Sequence, residues 1–296
     1  MVNLNFCPVC KNSVFEPYLI VKDHFLSKED FNIVICKKCG FKFTNPRPDE
    51  DNLINYYLSD DYISHGRSRS LIIENIYKII RKYSFYKKHQ LIVNQCVGKN
   101  ILDVGCGTGE FLAYFQQKGW QTFGIEPSVS PREYAKSKLK LDVKDETGLN
   151  DFSSGYFDVI TMWHVLEHVW NIDYKIHQLL KILKNDGLLV FALPNADSWD
   201  CKRYHSHWAA WDVPRHLSHF TTSTFQKFMN NYNLDIISTI PMKFDSFYVS
   251  LLSEKYLGNK WIFPRALLNG FLSNHHATKN NNSFSSMIYL VKNKNS

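Results

Sequence analysis

Residues 101–110 read Ile101-Leu102-Asp103-Val104-Gly105-Cys106-Gly107-Thr108-Gly109-Glu110, and this stretch decides the fold. Its first four residues form a short buried strand with an acid near its end. Three glycines at alternate positions follow, and then a helix-like segment, Glu110 to Lys118. Glycine opens backbone angles closed to other residues and lets the main chain approach a ligand. Strand, turn and helix start together build a nucleotide-type pocket at the carboxyl edge of a parallel sheet. Dinucleotide folds use G-x-G-x-x-G, which brings a helix N-terminus to a pyrophosphate. Here the spacing is G-x-G-x-G, and Asp103 and Glu110 flank the loop. Two acids disfavour a phosphate and tolerate a ligand with a cationic centre and an amino group. Glu126 ends the next apolar stretch, Thr122-Phe123-Gly124-Ile125. A carboxylate about twenty residues beyond the glycines can accept both ribose hydroxyls. A loop that merely turns tightly is the plain alternative; the elements that follow in the chain argue against it.

The pattern resembles class I S-adenosylmethionine-dependent methyltransferases, and the match runs from about residue 95 onward. It implies S-adenosylmethionine as cofactor and an α/β fold, a doubly wound, mostly parallel seven-stranded sheet of the Rossmann-like kind. Asp103, Gly105, Cys106, Gly107 and Gly109 fall on the cofactor loop, and Glu126 on the ribose carboxylate. Thr147 to Leu149 falls on the adenine edge. Met162, Trp163 and His164 fall on the far wall, below Leu166-Glu167-His168. Many relatives carry an acid for the adenine amino group after the third strand. Here Asp145 and Glu146 sit slightly early and take no assigned role.

Alternating strand and helix patterns support a parallel sheet with helices on both faces. Strands are expected at 100–104, 121–126, 141–145, 156–162, 187–193, 234–240 and 287–292, with helices at about 128–139, 172–184 and 222–232. A long helix, about 70–93, carries Ile72, Ile73, Ile76, Ile79, Ile80 and Tyr83 on one stripe. Residues 51–66 are acidic and tyrosine-rich, a segment expected to order only against something else. Lys279-Asn280-Asn281-Asn282 reads as a polar loop.

Four of the seven cysteines form two pairs, Cys7-Pro8-Val9-Cys10 and Cys36-Lys37-Lys38-Cys39-Gly40. Each C-x-x-C presents two thiolates from one tight turn, and two such turns complete a tetrahedron around zinc. Four cysteine ligands make the site closed and structural. Redox chemistry and disulfides are the competing readings; the absence of a signal-peptide pattern at Met1 to Phe6 argues against disulfides and for the cytoplasm. Cys96, Cys106 and Cys201 read as small apolar residues. The expected organisation is a zinc ribbon at 1–48, linker and lid helices at 49–94, and a methyltransferase domain at 95–296 with an acceptor-side insert at about 197–221. A ribbon before such a domain resembles a bacterial subgroup that includes sugar methyltransferases and surface-polysaccharide enzymes.

Composition fits this picture. Of 296 residues, 44% are hydrophobic and 15% aromatic, which fits a packed globular chain. No apolar run approaches the roughly 18 residues of a membrane span. The net charge of +7 is spread along the chain and points only weakly to anionic partners.

Residues 199–220 hold three of the seven tryptophans and four of the twelve histidines. The run Trp208-Ala209-Ala210-Trp211-Asp212-Val213-Pro214-Arg215-His216-Leu217-Ser218-His219-Phe220 resembles the subgroup's acceptor-side loop. In the family the loop after the fifth strand opens toward the transferable methyl. Histidine suits proton removal near neutral pH, so His216 and His219 are the expected bases. Trp208 and Trp211 suit the apolar face of a sugar, and Asp212 and Arg215 suit hydroxyls or a phosphate. Tyr248 is a further candidate on the acceptor side. The expected reaction is methylation of a sugar, nucleotide-sugar or glycan hydroxyl, or of a carbon. The alternatives are RNA methylation guided by the ribbon, whose Lys11, Lys22, Lys28, Lys37, Lys38, Lys42 and Arg47 face only Glu16, Asp23, Glu29 and Asp30, and a non-catalytic scaffold.

Overall fold

Strand β4 (Asn100–Val104) carries the glycine loop and lies between β5 (Gln121–Ile125) and β7 (Phe157–Trp163), parallel to both. Its Ile101, Leu102 and Val104 are buried, which follows from packing both faces of a parallel strand. Parallel strands need a crossover, and helices supply it here. The computed structural model describes residues 1–57, 71–280 and 283–294, and residues 71–80 by their backbone alone. The expected acidic stretch beyond residue 57, the apolar stripe of 72–80 and Asn281-Asn282 lie outside those described features.

The main sheet has seven strands in the order β10-β11-β8-β7-β4-β5-β6. Its other members are β6 (Asp142–Lys144), β8 (Leu183–Pro194), β10 (Leu234–Pro241) and β11 (Ser286–Asn293). All seven were expected from the sequence within a few residues. The helices are α1 (Glu50–Leu53), α2 (Leu71–Val93), α3 (Glu110–Gln116), α4 (Val129–Leu139), α5 (Ile172–Ile182), α6 (Trp199–Tyr204), α7 (Thr222–Asn230), α8 (Asp245–Tyr256) and α9 (Ile262–Lys279). Thr221 caps α7 with a reciprocal Thr221–Thr224 capping box.

The chain divides into two units. The glycine-loop unit comprises described residues 71–163, 174–190 and 291–294. It holds β4 to β7 with α2 to α4. The ribbon unit comprises described residues 1–57, 164–173, 191–280 and 283–290.

The ribbon unit has its own sheet in the order β1-β2-β3-β9. Strands β1 (Phe15–Lys22), β2 (Asp30–Cys36) and β3 (Lys42–Thr44) are successive antiparallel neighbours. The fourth strand, β9 (Ser218–His219), comes from the histidine-rich run and pairs Phe43 with Ser218. Cluster residues Val21, Phe31 and Ile33 share one apolar core with Trp208, Trp211 and Val213. The ribbon and the loop after the fifth expected strand thus form one folded body, a finding that differs from the expected boundary at residue 48.

Candidate functional site

Three left-handed glycines shape the loop: Gly105, Gly107 and Gly109 have φ of 72°, 55° and 79°. At Gly109 a Cβ would stand 2.6 Å from Leu141 Cδ1, so only glycine fits there. Around Gly107 the space is open, with nothing within 4 Å of a would-be Cβ. Glu126 pins the loop: Gly107 N–H donates to Oε2 and Ser128 N–H to Oε1, both at 2.8 Å. Cys106 is buried with its sulfur under the loop, where a Cβ on Gly124 would touch it at 2.7 Å.

Asp103 is buried and accepts a hydrogen bond from Thr161 Oγ1 at 2.6 Å. Burial pushes its carboxyl up to about 7, against the Thr161 hydrogen bond and the charge of Lys88. Lys88 Nζ lies 3.6 Å from the centroid of the Trp163 ring. That ammonium occupies the Trp163 face itself and lies close enough to Asp103 to act on its charge. Trp163 Nε1 is buried and makes no hydrogen bond, an orphaned donor in the same unit. Leu149 is buried in the short helical turn Glu146–Asp151, beyond β6. Glycine loop, paired carboxylates and an orphaned donor fit a cationic nucleoside ligand. A pyrophosphate would meet two acids there.

The ribbon unit contributes a second group of chemistry-bearing side chains. His164 stands directly after β7 with φ of 56°, a left-handed angle that is costly for histidine. Its Nε2 lies 3.2 Å from Asp245 and its Nδ1 3.4 Å from Glu167. Burial works against its charge, but hydrogen bonds to Asp245 and Glu167 hold the imidazolium up to about 10. His168 moves the other way: burial and the neighbouring His216 bring it down to about 4. His168 Nδ1 contacts Tyr57 Oη and the Arg215 carbonyl, and His216 Nδ1 contacts the Ala210 carbonyl at 2.8 Å. The Ala210 contact assigns the Nδ1–H tautomer to His216, which is buried with its Nε2 4.0 Å from Asp212 Oδ2. Glu167 is 1% exposed; its Oε1 is paired with the His164 imidazolium at 3.4 Å, and its Oε2 has no hydrogen bond. One ligand atom each from Glu167, His168 and His216 lie within 4.8 Å of one another, a donor set that divalent metals accept.

The remaining acceptor-side candidates lie deeper than their types implied. Trp208 and Trp211 are buried in the core of the ribbon unit, edge-to-face at 5.0 Å, so their faces are spent on packing. Arg215 is buried between Asp23 at 2.9 Å and Asp212 at 2.7 Å. Those charge pairs take Asp23 down to about 2 despite its burial, and lower Asp212 as well. His219 is buried with Nε2 3.1 Å from Thr44 Oγ1. Burial and the charges of His216 and Lys42 push it well below the usual histidine range. Tyr248 is exposed on α8. Sequence reasoning missed Glu167 and Asp245 as a pair around His164; only the fold brings positions 164 and 245 together.

The four paired cysteines also converge. Cys7 Sγ lies 3.6 Å from Cys39 Sγ, and Cys10 Sγ 3.5 Å from Cys36 Sγ. Tetrahedral sulfurs on bonds of about 2.3 Å would be about 3.8 Å apart. Gly40, with φ of 79°, donates its N–H to the Cys36 carbonyl and closes the second knuckle.

Comparison with known proteins agrees with this geometry. Residues 77–239, more than half of the chain, match a family described as a methyltransferase domain. The ubiquinone biosynthesis O-methyltransferase of Rhodopseudomonas palustris (strain BisA53) is 30% identical over 108 residues, 35% of this chain and 43% of that protein. The enzyme of the same description from Pelagibacter ubique is 36% identical over 104 residues, 33% and 43%. The chain spans less than half the length of these curated relatives. Among solved structures, magnesium protoporphyrin IX methyltransferase from Synechocystis PCC 6803 with bound SAH gives a TM-score of 0.53 at 12% identity, over 82% of this chain and all of that one. Geranyl diphosphate C-methyltransferase from Streptomyces coelicolor A3(2), in complex with magnesium, geranyl diphosphate and S-adenosyl-L-homocysteine, gives 0.52 at 10% identity over 82% and 97%. At those identities the likeness is one of fold.

Proposed function

The chain belongs to the methyltransferase-domain family as a class I S-adenosylmethionine-dependent methyltransferase, and from that premise we propose that it methylates a hydroxyl of a small molecule, with His216 as the proton acceptor. The observation that carries this reading is His216 itself, with its Nδ1 held by the Ala210 carbonyl and its Nε2 beside the Asp212 carboxylate at 4.0 Å, a charge that favours the imidazolium formed on taking a proton. The bound cofactor supplies an electrophilic methyl on a sulfonium; the chain must hold it, orient the acceptor and take one proton. The glycine loop and Glu126 seat the nucleoside, with Glu126 accepting from the ribose hydroxyls. Asp103 favours the cationic end. Leu149 borders the adenine. Imidazole Nε2 of His216 receives the hydroxyl proton as the oxygen gains the methyl. His219, Trp208, Trp211, Asp212 and Arg215 hold that loop in place from the interior. Cys7, Cys10, Cys36 and Cys39 hold one structural zinc.

A sugar or nucleotide-sugar hydroxyl is the first acceptor class to test, on the resemblance of residues 208–220 to sugar-methylating enzymes. A phenol of the ubiquinone-precursor type is the comparison, on the names of the curated relatives. A screen with labelled cofactor decides between them. His216→Gln is expected to keep cofactor affinity and to lower turnover on the order of 10²- to 10⁴-fold. Unchanged turnover would place the base elsewhere.

Glu167 favours a second reading. Its Oε2 is buried without a hydrogen bond, which is costly, and a divalent cation on Glu167, His168 and His216 would satisfy it and acidify the hydroxyl directly. Dialysis against a chelator followed by magnesium or manganese restores turnover under this reading and leaves it unaltered under the first.

Asp103 gives the site a pH signature. Its folded value, about 7, is raised from the ordinary carboxylate range, so the empty site binds a proton there. A cation seated beside it favours the carboxylate, so cofactor binding releases that proton. Affinity is expected to rise with pH up to about 7 and level off above it. Calorimetry in buffers of different ionisation enthalpy, at roughly pH 6.5, reads the release directly.

A further inference from the structure

Helices α8 and α9 form a hairpin within the ribbon unit that packs the wrong way round for a protein in water. The buried stripe of α9 includes Ala266, Asn269, Gly270 and Ser273, small or polar residues. Its outward stripe is Phe263, Leu267 and Phe271 at successive i, i+4 positions, flanked by Leu268, Leu272 and, just before the helix, Trp261. Phe263 is 76% exposed, Trp261 73% and Phe271 60%. Contiguous apolar surface of this kind marks an interaction site.

The helix cannot roll to hide these side chains. Asn269 Nδ2 donates to Glu254 Oε1 at 2.8 Å and to Tyr204 Oη at 2.9 Å. Ser273 Oγ donates to Asp200 Oδ1 at 2.8 Å. Turning the leucines inward would orphan all of these buried groups. Polar bonds inside therefore fix the apolar face outside.

Charge decides what covers it. Between residues 243 and 279 stand Lys243, Lys255, Lys260, Arg265 and Lys279, against only Asp245 and Glu254. Glu254 is buried and neutralises Arg265 at 2.9 Å, and Asp245 pairs with His164, so the exposed Lys243, Lys255, Lys260 and Lys279 set a basic charge on the hairpin. In a two-fold dimer the same patch meets itself, and basic charge would meet basic charge. Apolar and aromatic side chains on a lysine-bearing hairpin instead match an anionic bilayer surface. No helix of the described residues is long and apolar enough to cross a membrane, so the hairpin would lie on the surface. We propose that the outer face of α8–α9 docks on an anionic lipid bilayer, with Trp261, Phe263 and Phe271 at the acyl boundary and the lysines among the headgroups.

The test is co-sedimentation of the full chain with vesicles. The protein is expected to pellet with equimolar phosphatidylcholine and phosphatidylglycerol, to stay in solution with phosphatidylcholine alone, and to release with salt. Phe263→Glu with Leu267→Glu is expected to weaken partitioning roughly tenfold or more with little change in melting temperature, because both side chains are exposed. Lys255→Glu with Lys260→Glu should do the same through charge. Failure to pellet with the anionic vesicles overturns the proposal. So does a stable dimer, seen by sedimentation velocity, that the Phe263→Glu, Leu267→Glu variant dissolves. Neither result touches the assignment of the methyltransferase reaction.

Discussion

Cys36→Ser is expected to unfold the ribbon and to take the histidine-rich loop with it. Wild-type protein should carry one zinc per chain and the variant none, as read by metal analysis. Binding free energies of structural zinc are about 10–16 kcal/mol in small zinc-dependent modules. A typical domain is stable by only about 5–15 kcal/mol, so a zinc held there would outweigh any other single contact in the ribbon. The damage should not stop at residue 48. Strand β3 pairs Lys42 with His219 and Phe43 with Ser218, and Phe31 and Ile33 share a core with Trp208 and Trp211. Protease sensitivity should therefore appear both within residues 1–48 and within residues 199–220. Cofactor affinity should persist, because β4 to β7 and the glycine loop belong to the other unit. A metal-free preparation with an unaltered melting curve would refute the zinc assignment.

Glu126→Ala is expected to reduce affinity for S-adenosylhomocysteine by about 10²- to 10⁴-fold. Two charge-assisted hydrogen bonds to ribose hydroxyls, at about 1.5–3 kcal/mol each, account for that range. The carboxylate also accepts from Gly107 and Ser128 N–H, so the alanine variant loosens the loop as well. Glu126→Gln keeps the shape and one acceptor oxygen, and should recover part of the loss. Equal affinities for wild type and both variants, by calorimetry, would remove Glu126 from the cofactor site.

The parts of this molecule that were legible in the sequence are those governed by local rules. Alternation of buried strands with helices gave the main sheet, because a parallel strand reads as an apolar run wherever it sits. The glycine loop was legible because left-handed backbone at positions 105, 107 and 109 admits little else. The cysteine pairs were legible because each C-x-x-C is a local spacing, and the fold brings the two pairs together.

What stayed hidden depends on contacts distant in sequence. Tryptophan and histidine were dense at 199–220, and from density alone they read as a surface for a ligand. Their true surroundings depend on β9 joining the ribbon sheet, which no local pattern announces. Arg215 finds Asp23 across nearly two hundred residues. Glu167 and Asp245 flank His164 only because the chain returns there after β10. Helices α8 and α9 escaped notice for another reason: much of the apolar surface of α9 faces outward, and the packed stripes are mostly serine, glycine, alanine and asparagine, with Val249 and Glu254.

A crystal structure of the chain grown with S-adenosylhomocysteine tests the central claim most directly. The ligand should lie over Gly105 to Gly109, with both ribose hydroxyls on the Glu126 carboxylate and the amino-acid end toward Asp103. An empty glycine loop at saturating ligand, or a nucleotide bound with its phosphates there in its place, would contradict the account.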